Sequence, residues 1–282
     1  MLRAPTLSGV VSAIPPVFVA RRARAFVGVR GPDSEDYLQR MVSNDVAALA
    51  PGESCEALLL TAKARVIAPM RVLRRASEDF LLLTEPELGE RLRDELVRMR
   101  FAAKVQVELE EHSSYLLLGS AEGGVPNEDY GVAAVEVLDE QPREDLPLLA
   151  DEELERLRIE AGTPRFGREI DERVLPAEAG LVERAVSFTK GCFPGQEPIA
   201  RLQYRGHSNR GLRVLALETT ELPAPDSEIF HESKAVGRVT SAAAADGRVV
   251  ALAYVRAEVP ADAELEIGRA KARSLHLSPG RP

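Results

Sequence analysis

Alternating apolar and polar positions divide the first two thirds of the chain into short strands and a few amphipathic helices. Leucine and methionine recur at spacings of four, four and three between residues 88 and 99, which predicts a helix over residues 87–100. Acidic residues in the first turn predict a helix over Ser34–Met41, and another begins at Asp151 and ends at Ala161-Gly162. β-type runs predict strands over residues 23–30, 57–61, 65–73, 80–84, 105–109, 115–118 and 133–138.

From about residue 212 the pattern changes to short β-type runs separated by Pro, Gly and Asp turns. These runs cover residues 212–217, 236–240, 249–255, 265–267 and 272–277. Such spacing is typical of a small antiparallel sheet or barrel. We therefore predict one region over residues 1–210 and a C-terminal β-barrel over residues 211–282, in agreement with the roughly two domains expected at this length.

One segment is rich in candidate chemistry: residues 189–201 read T-K-G-C-F-P-G-Q-E-P-I-A-R. Pro198 fits only in the first turn of a helix, so a helix should begin between Gly195 and Pro198. Cys192 then lies just before the helix N-terminus, with Lys190 two positions earlier. Both neighbours favour a thiolate or a bound anion. The same residues also fit a tight turn at Gly191 and Gly195 with Cys192 as a small buried apolar side chain.

Composition narrows the range of partners. The chain has 36 basic and 45 acidic side chains and a net charge of −9, which argues against general nucleic-acid binding and against an anionic membrane surface. Two cysteines, Cys55 and Cys192, favour a reducing cytoplasm and are too few to hold an iron–sulfur cluster alone. Cys55 lies in an apolar strand and should be buried and slow to react. The histidine and cysteine spacings predict no metal site.

The N-terminus carries an apolar run over residues 10–20. Pro15 and Pro16 interrupt it, and it is too short to span a membrane. Its basic start and small residues would also fit a signal peptide, but a strand follows immediately and the two cysteines suit the cytoplasm. We expect no membrane partner.

Four separated motifs resemble the aminomethyltransferase (glycine cleavage T-protein) superfamily. R-I-E-A-G at residues 158–162, with R-F-G at 165–167 and L-P-A-E at 175–178, resembles its R-x-E-A-G…G block. V-S-N-D-V at residues 42–46 resembles its N-terminal element, and V-G-R-V-T-S at 236–241 resembles a hairpin of its C-terminal barrel. Residues 189–201 match the K-G-C-[FY]-x-G-Q-E-x-x-x-R signature of the folate-binding YgfZ branch. The resemblance spans nearly the whole chain.

The resemblance implies an α+β fold: a ring of α+β subdomains around a central folate channel, with a C-terminal antiparallel β-barrel. Residues 1–210 would then hold two α+β subdomains that need not be continuous in sequence. It implies tetrahydrofolate as the cofactor and iron–sulfur client proteins as partners.

The resemblance also supplies candidate site residues. In the transferases, the glutamate that matches Glu160 contacts the pterin, and a carboxylate can accept two parallel N–H donors. From the residues alone, Glu160 would be a surface acid at a helix end. The other candidates are Asn44, Gln196 and Arg201 for cofactor binding and Cys192 and Lys190 for chemistry.

A basic run follows the cysteine segment: Arg201, Arg205, Arg210 and Arg213, with His207 and without any acidic residue among them. It could hold the glutamate tail of folate or meet an acidic partner. It could equally be a solvated basic edge.

One departure from the family pattern bears on the reaction. Transferase relatives carry a catalytic acidic pair in a G-x-I-x-D-D strand, where this chain reads R-V-I-A-P-M at residues 65–70. Ala68 and Pro69 cannot transfer protons, so we expect no glycine-cleavage activity. Whether the protein turns over a substrate stays open.

The favoured function is a tetrahydrofolate-binding accessory protein for assembly or repair of iron–sulfur enzymes, with a reactive Cys192. One alternative is a folate-dependent aminomethyl or one-carbon transferase in which Cys192 replaces the lost carboxylate. Another is a thiol redox protein, which the lack of a second nearby cysteine weakens.

Overall fold

The computed structural model describes residues 17–141, 144–206 and 208–275. The helices are α1 (Ser34–Met41), α2 (Gly89–Arg98), α3 (Asp151–Glu160), α4 (Val182–Ala185) and α5 (Gln196–Arg205). The strands are β1 (Phe18–Arg21), β2 (Ala25–Arg30), β3 (Ser54–Leu60), β4 (Val66–Ala76), β5 (Asp79–Thr84), β6 (Gln106–Glu110), β7 (Ser114–Leu118), β8 (Val125–Asn127), β9 (Ala134–Leu138), β10 (Arg210–Leu217), β11 (Glu228–His231), β12 (Lys234–Ala245), β13 (Arg248–Arg256), β14 (Leu265–Ile267) and β15 (Ala270–Ser274).

The first sheet has the order β3-β4-β5-β2-β6 and is antiparallel throughout. Its central strands are buried on both faces: Leu81 and Leu83 of β5 lie on one face, and Phe80 and Leu82 lie on the other, which two helices cover. Leu38 of α1 and Leu92 and Leu96 of α2 pack into that face and are fully buried. Tyr37 of α1 donates its hydroxyl to the carbonyl of Leu96 at 2.5 Å, which joins the two helices.

The second sheet has the order β1-β7-β9-β8. Its core includes Leu116 and Leu118 from β7 and Leu154 from α3. The imidazole of His112 lies between the two sheets, with Nε2 at 2.8 Å from Glu110 Oε2 of β6 and Nδ1 at 2.6 Å from Asp139 Oδ2, which follows β9. Burial alone would lower the pKa of His112, but hydrogen bonds to the two carboxylates outweigh it and raise the pKa.

The C-terminal strands form a closed antiparallel barrel in the order β10-β13-β12-β11-β14-β15. This confirms the predicted fold class, α+β with a C-terminal barrel. Residue Ile159 of α3 packs against the outside of the barrel with Val214 and Leu252, so α3 lies between the second sheet and the barrel. Whether residues 1–210 and 211–282 fold as separate domains stays a prediction.

A buried polar network fastens α3 to the barrel. Glu169 is 1% exposed and accepts hydrogen bonds from Arg158 Nη1 (3.0 Å), the Arg165 amide (3.0 Å) and the Ser241 hydroxyl of β12 (2.6 Å). Arg158 also donates to the carbonyl of Thr163 at 2.6 Å and to the Ser241 hydroxyl at 3.0 Å. Every buried charge in this network therefore has a partner.

Several short elements were not predicted from the pattern, namely β1, β8, β11 and α4. Each has only three or four residues, too few to show a period. The helix predicted over residues 87–100 is split into a 3-10 turn over Pro86–Leu88 and α2. His207 and most of the predicted end of the last strand, residues 276 and 277, lie outside the described residues. No helix in the described part of the chain is long and apolar enough to cross a membrane.

Candidate functional site

A cavity of about 600 Å³ opens where β3, β4, α3 and α4 meet the link between β1 and β2. This volume lies in the range of ordinary small-molecule sites. Its charged walls hold eight arginines and six carboxylates: Arg21, Arg22, Arg24, Arg71, Arg158, Arg165, Arg168 and Arg184, with Glu56, Glu85, Asp129, Asp151, Glu152 and Glu155. A locally positive cavity in a chain of net charge −9 favours an anionic ligand.

The deepest charges form a chain of ion pairs centred on Arg184 of α4. Its Nη2 lies 2.6 Å from Glu56 Oε1 and 2.8 Å from Asp129 Oδ1. Arg71 Nη2 lies 3.0 Å from the same Glu56 oxygen. Within the described residues, Glu56 Oε2 and Asp129 Oδ2 therefore accept no hydrogen bond; Arg24 approaches Asp129 Oδ2 only to 4.0 Å.

Local structure fixes Asp129 in this position. Its backbone amide donates to Asn127 Oδ1 at 3.0 Å, an Asx turn that ends β8. Burial alone would raise the pKa of Asp129, but the guanidiniums of Arg184, Arg71 and Arg24 outweigh it and hold the pKa below its ordinary value. The carboxylate is therefore ionised at neutral pH.

Some hydrogen-bond donors in the same walls are also unmatched. The Nε–H groups of Arg22, Arg71 and Arg184 are buried and have no acceptor among the described residues. Buried polar groups without partners are uncommon in folded proteins. Because free donors and free acceptors line one cavity, it suits a flat polar ligand that presents both kinds of group.

Pro69, which the resemblance places at one of the transferases' acidic positions, lines the cavity. The absence of glycine-cleavage activity stays a prediction. The neighbouring strand β3 supplies a carboxylate to the same wall, because Glu56 pairs in register with Arg71 of β4.

The cysteine segment lies on other elements. Gly195, at φ +83°, precedes α5, so the helix begins where Pro198 required. A Cβ on Gly195 would lie 2.7 Å from the carbonyl oxygen of Thr61, which shows how closely this loop packs against the turn between β3 and β4. Cys192 is exposed and is not among the residues that line the cavity.

The ammonium group of Lys190 points into the protein and not toward the exposed side of Cys192. Its Nζ donates to the carbonyl oxygens of Val42 (2.6 Å) and Asn44 (3.0 Å) and lies 5.2 Å from the Phe193 ring centroid. Burial lowers the pKa of Lys190 to about 8. These contacts anchor the cysteine loop to the V-S-N-D-V segment.

Asn44 is used inside the fold. Its Nδ2 donates to the carbonyl oxygen of Glu56 at 2.7 Å and to that of Arg184 at 3.4 Å, and its Oδ1 accepts the Asp45 amide at 2.9 Å. Asn44 is absent from the lining of the cavity but holds the backbones of two residues that line it.

The other predicted site residues lie apart from the cavity. The Glu160 carboxylate is ion-paired with Arg156, one turn earlier in α3. The Arg201 guanidinium is 2.9 Å from Glu197 and largely exposed, and Gln196 starts α5. None of these three lines the cavity within the described residues. Their roles toward a cofactor stay predictions.

In the basic run after the cysteine segment, Arg210 and Arg213 have different partners; His207 lies outside the described residues. Arg210 lies over the Tyr254 ring and pairs with Glu178 at 3.0 Å. Arg213 donates to the backbone carbonyls of Val259 and Pro260, in the loop after β13. Arginines spaced closely in sequence are thus separated by different partners.

Sequence reasoning missed Asp129 and Arg184, which lie at the centre of the cavity's ion pairs. Asp129 lies between the strands predicted over residues 115–118 and 133–138, where no element was predicted, and Arg184 lies in a four-residue helix. Tyr130, also in the wall, is buried, and burial raises its pKa to about 12. An N-x-D turn after an apolar run was the one local signal available for Asp129.

Comparisons with known proteins agree with the sequence motifs. An uncharacterized protein of Haemophilus influenzae is 28% identical, with 82% of this chain and 85% of the relative covered. Relatives named tRNA-modifying protein YgfZ include one from Edwardsiella ictaluri at 28% identity (90% and 88% covered) and one from Escherichia coli strain K12 at 25% (90% of both). No family model matches the chain.

A solved structure shares the fold. The aminomethyltransferase T of the glycine cleavage system from Bartonella henselae has a TM-score of 0.77, with 94% of this chain and 86% of the other covered at 21% identity. The relatives confirm the resemblance to the YgfZ proteins, and the solved structure shows that the chain has the fold of an aminomethyltransferase T.

Proposed function

We propose that this chain, a relative of the YgfZ proteins with the aminomethyltransferase fold, is a tetrahydrofolate-binding accessory protein for iron–sulfur enzymes. The observation that carries the folate part is the cavity, whose walls leave two carboxylate oxygens and three guanidinium Nε–H groups unmatched. A pterin edge presents an amino group and ring N–H donors beside ring and carbonyl acceptors, so it can satisfy both sets.

The carboxylates of Glu56 and Asp129 are the best placed to receive the pterin donors. Each uses one oxygen for Arg184 and keeps the other free. A charge-assisted bond from a ligand N–H to such an oxygen is stronger than a neutral one. Glu160, which the family resemblance favours, would need to give up its pairing with Arg156.

Titration calorimetry with tetrahydrofolate tests this proposal. Asp129→Asn keeps the shape but removes the charge, and loss of a charge-assisted hydrogen bond costs about 1.5–3 kcal/mol, roughly ten- to a hundredfold in affinity. Glu56→Gln should act in the same direction. Glu266→Gln, an exposed acid on β14 far from the cavity lining, is the matched control and should leave affinity unchanged.

The affinities of the variants distinguish Glu160 from Asp129 as the pterin ligand. If Glu160→Ala weakens binding and Asp129→Asn does not, the pterin ligand is the residue that the resemblance implied. If the wild-type protein binds no tetrahydrofolate at all, the folate proposal fails.

The accessory role is proposed from Cys192. The thiol is exposed on a loop that is anchored through Lys190, so it can meet another protein without rearrangement. One thiol cannot hold a cluster, and the described residues contain no group of side chains that could hold a metal ion. Cys192 would therefore contact the cluster or a thiol of a client, with the client supplying the other ligands.

The relatives' name assigns them to tRNA modification. A chain of net charge −9 is a poor direct ligand for tRNA. A client that is itself an iron–sulfur enzyme of tRNA modification would reconcile the two. Modified nucleosides should therefore fall in cells that lack the protein and recover with the wild-type or Cys55→Ser chain, but not with Cys192→Ser. Recovery with Cys192→Ser would remove the thiol from the mechanism.

A folate-dependent one-carbon transferase is the second candidate, and Glu56 is the observation that favours it. Its carboxylate reaches the wall formed by Pro69 and Met70, where it could replace the lost acid. Tetrahydrofolate and formaldehyde condense to methylene-tetrahydrofolate and water. A rate above the uncatalysed blank that Glu56→Gln abolishes would favour the transferase.

A further inference from the structure

Two further cavities of about 400 Å³ each share the loop at residues 171–173. One is formed with the turn between β3 and β4 and with α2, and the other with β10 and β12 of the barrel. We call their walls the basic surface, because its cations outnumber its acids: Lys63, Arg65, Arg91, Arg173, Arg210 and Arg238 against Asp171, Glu172 and Asp226. A local positive excess in a chain of net charge −9 favours an anionic partner.

The backbone of the basic surface is held by its own hydrogen bonds. Arg65 Nη1 donates to the carbonyl oxygen of Arg173, and the Arg173 amide donates to Asp171 Oδ1 at 2.7 Å. In the turn between β3 and β4, the Thr61 amide donates to the Arg65 carbonyl at 2.9 Å and the Thr61 hydroxyl accepts the Arg65 amide at 3.0 Å. Because both segments are ordered before a partner arrives, less conformational entropy is lost on binding.

Some cations of the basic surface are available to a partner. Lys63 is exposed and makes no hydrogen bond or ion pair within the described part of the chain. The Arg173 side chain is 83% exposed, and its ion pair is with Asp171, two positions earlier. An exposed pair of this kind is weak, so the carboxylate of a partner can share or replace Asp171.

The cavity beside the turn between β3 and β4 also has an apolar part. Val66 and Ile67 are buried and line it together with Lys63 and Arg91. An acidic side chain of a partner can meet the cations while an adjacent apolar side chain is removed from water against Val66 and Ile67. A nucleic-acid backbone offers only phosphates here, and the net charge of −9 repels it at long range. The surface therefore favours a protein segment in which acidic and apolar residues are adjacent.

The basic surface adjoins the loop that carries Cys192. A Cβ on Gly195 would lie 2.7 Å from the carbonyl oxygen of Thr61 and 3.0 Å from the Cα of Ala64, so this loop packs directly on the turn between β3 and β4. Cys192 is three positions before Gly195, which places the two Cα atoms within about 11 Å of each other. A partner bound at the turn therefore lies near the exposed thiol.

We propose that the basic surface is the docking site for a segment of a partner protein in which acidic and apolar residues are adjacent. The inference deepens the proposed accessory role, because it names the chemistry by which a client would be recognised. It needs neither the folate nor the thiol, so it can fail or stand independently of them.

Fluorescence anisotropy with labelled synthetic peptides on the full chain tests the docking site. The acidic peptide repeats two Glu and one Leu, the neutral peptide has Gln in place of Glu, and the polar peptide has Ser in place of Leu. Exposed ion pairs contribute modestly, so the wild type should bind the acidic peptide roughly three- to thirtyfold more tightly than the neutral one. This preference should shrink at high salt. The polar peptide should bind more weakly than the acidic one, because it lacks the apolar contact.

Charge reversal gives the most specific variant. Lys63→Glu/Arg173→Glu should abolish the preference for the acidic peptide and favour a peptide with Lys in place of Glu. Lys104→Glu/Arg248→Glu is the matched control: it changes the net charge by the same amount at exposed positions that line neither cavity, and it should keep the preference. Because all of these side chains are exposed, both double variants should unfold at the wild-type temperature.

Equal affinities of the wild type for the acidic and neutral peptides would overturn the inference, and so would a preference that the charge-reversed variant keeps. If oligouridylate RNA binds the wild type more tightly than the acidic peptide and the charge-reversed variant loses that affinity, the surface is an RNA site and the inference is wrong. Peptide binding that is unchanged in the Cys192→Ser chain would support a docking site separate from the thiol. That result would stand even if Cys192→Ser restored the modified nucleosides in cells and so removed the thiol from the proposed function.

Discussion

Removing the buried carboxylate of Glu169 should be among the most damaging single changes in the chain. Glu169 is the acceptor for three donors, from Arg158, Arg165 and Ser241, and these come from α3, the loop after it and the barrel. Glu169→Ala leaves the buried Arg158 guanidinium with Glu155 as its remaining carboxylate, and it removes the acceptor of the Arg165 amide and the Ser241 hydroxyl.

The expected loss in the free energy of unfolding depends on which groups of the network lose their partner. A buried donor that loses its acceptor costs about 1–3 kcal/mol. Glu169→Ala strands two such donors and weakens the pairing of Arg158, so we expect a loss of about 3–5 kcal/mol in the free energy of unfolding. Ser241→Ala removes one neutral donor and keeps the ion pair, so it should cost about 1–2 kcal/mol. Glu169→Gln keeps the shape but turns an acceptor into a donor that faces Arg158, and should fall between the two at about 2–3 kcal/mol.

Urea unfolding followed by circular dichroism measures these free energies, with an unchanged slope as the check that the unfolded states are comparable. Ser241→Ala added to Glu169→Ala should cost less than Ser241→Ala alone, because the hydroxyl has already lost its acceptor. A loss below about 1 kcal/mol for Glu169→Ala would contradict the reasoning. So would a double variant less stable than the sum of its single changes.

Three other outcomes are expected. The pKa of His112 is raised in the folded protein, so its contribution to stability is fully present below the ordinary value of 6.5 and is lost as pH rises through the folded value. His112→Gln should therefore flatten the pH dependence of the unfolding free energy above pH 6.5. Gly195→Ala should lower the free energy of unfolding by about 1–3 kcal/mol, since the residue has φ +83° and no room for a Cβ. Gly247→Ala is the control: it has φ +76° but open space around it, so it should lower the free energy of unfolding by less. Iodoacetamide at pH 8 should label the exposed Cys192 well before the half-buried Cys55, because burial raises the pKa of the Cys55 thiol to about 12; equal rates of labelling would contradict this assignment.

The regular elements were largely readable from the sequence. The bounds of α1 agree with the prediction, because an acidic first turn and a stop at Ser43-Asn44-Asp45 mark both ends of the helix. The barrel was predicted from short β-type runs between Pro, Gly and Asp turns and from the family resemblance. Strand β11 was missed because its four residues contain one fully buried side chain, Ile229. Cys55 was expected to be buried and is half-buried, since β3 lies at the edge of its sheet.

The cavity could not be predicted in the same way, because its charges come from distant parts of the chain. Arg184 pairs with Glu56 across 128 positions, and Arg24 pairs with Glu136 across 112. No period or spacing connects such residues. Family resemblance pointed to motifs instead, and most motif residues do not line the cavity.

The V-S-N-D-V and K-G-C motifs are an example, because the two segments contact each other. Lys190 reaches across 146 positions to the carbonyl of Asn44, and the amide of Asn44 reaches on to the backbones of Glu56 and Arg184. Glu56 and Arg184 are the centre of the charged wall, whereas Lys190 anchors the loop that exposes Cys192. The thiol and the cavity are therefore separate sites that depend on the same short segment. A substitution in that segment acts on both sites through backbone position, even though its side chain reaches neither.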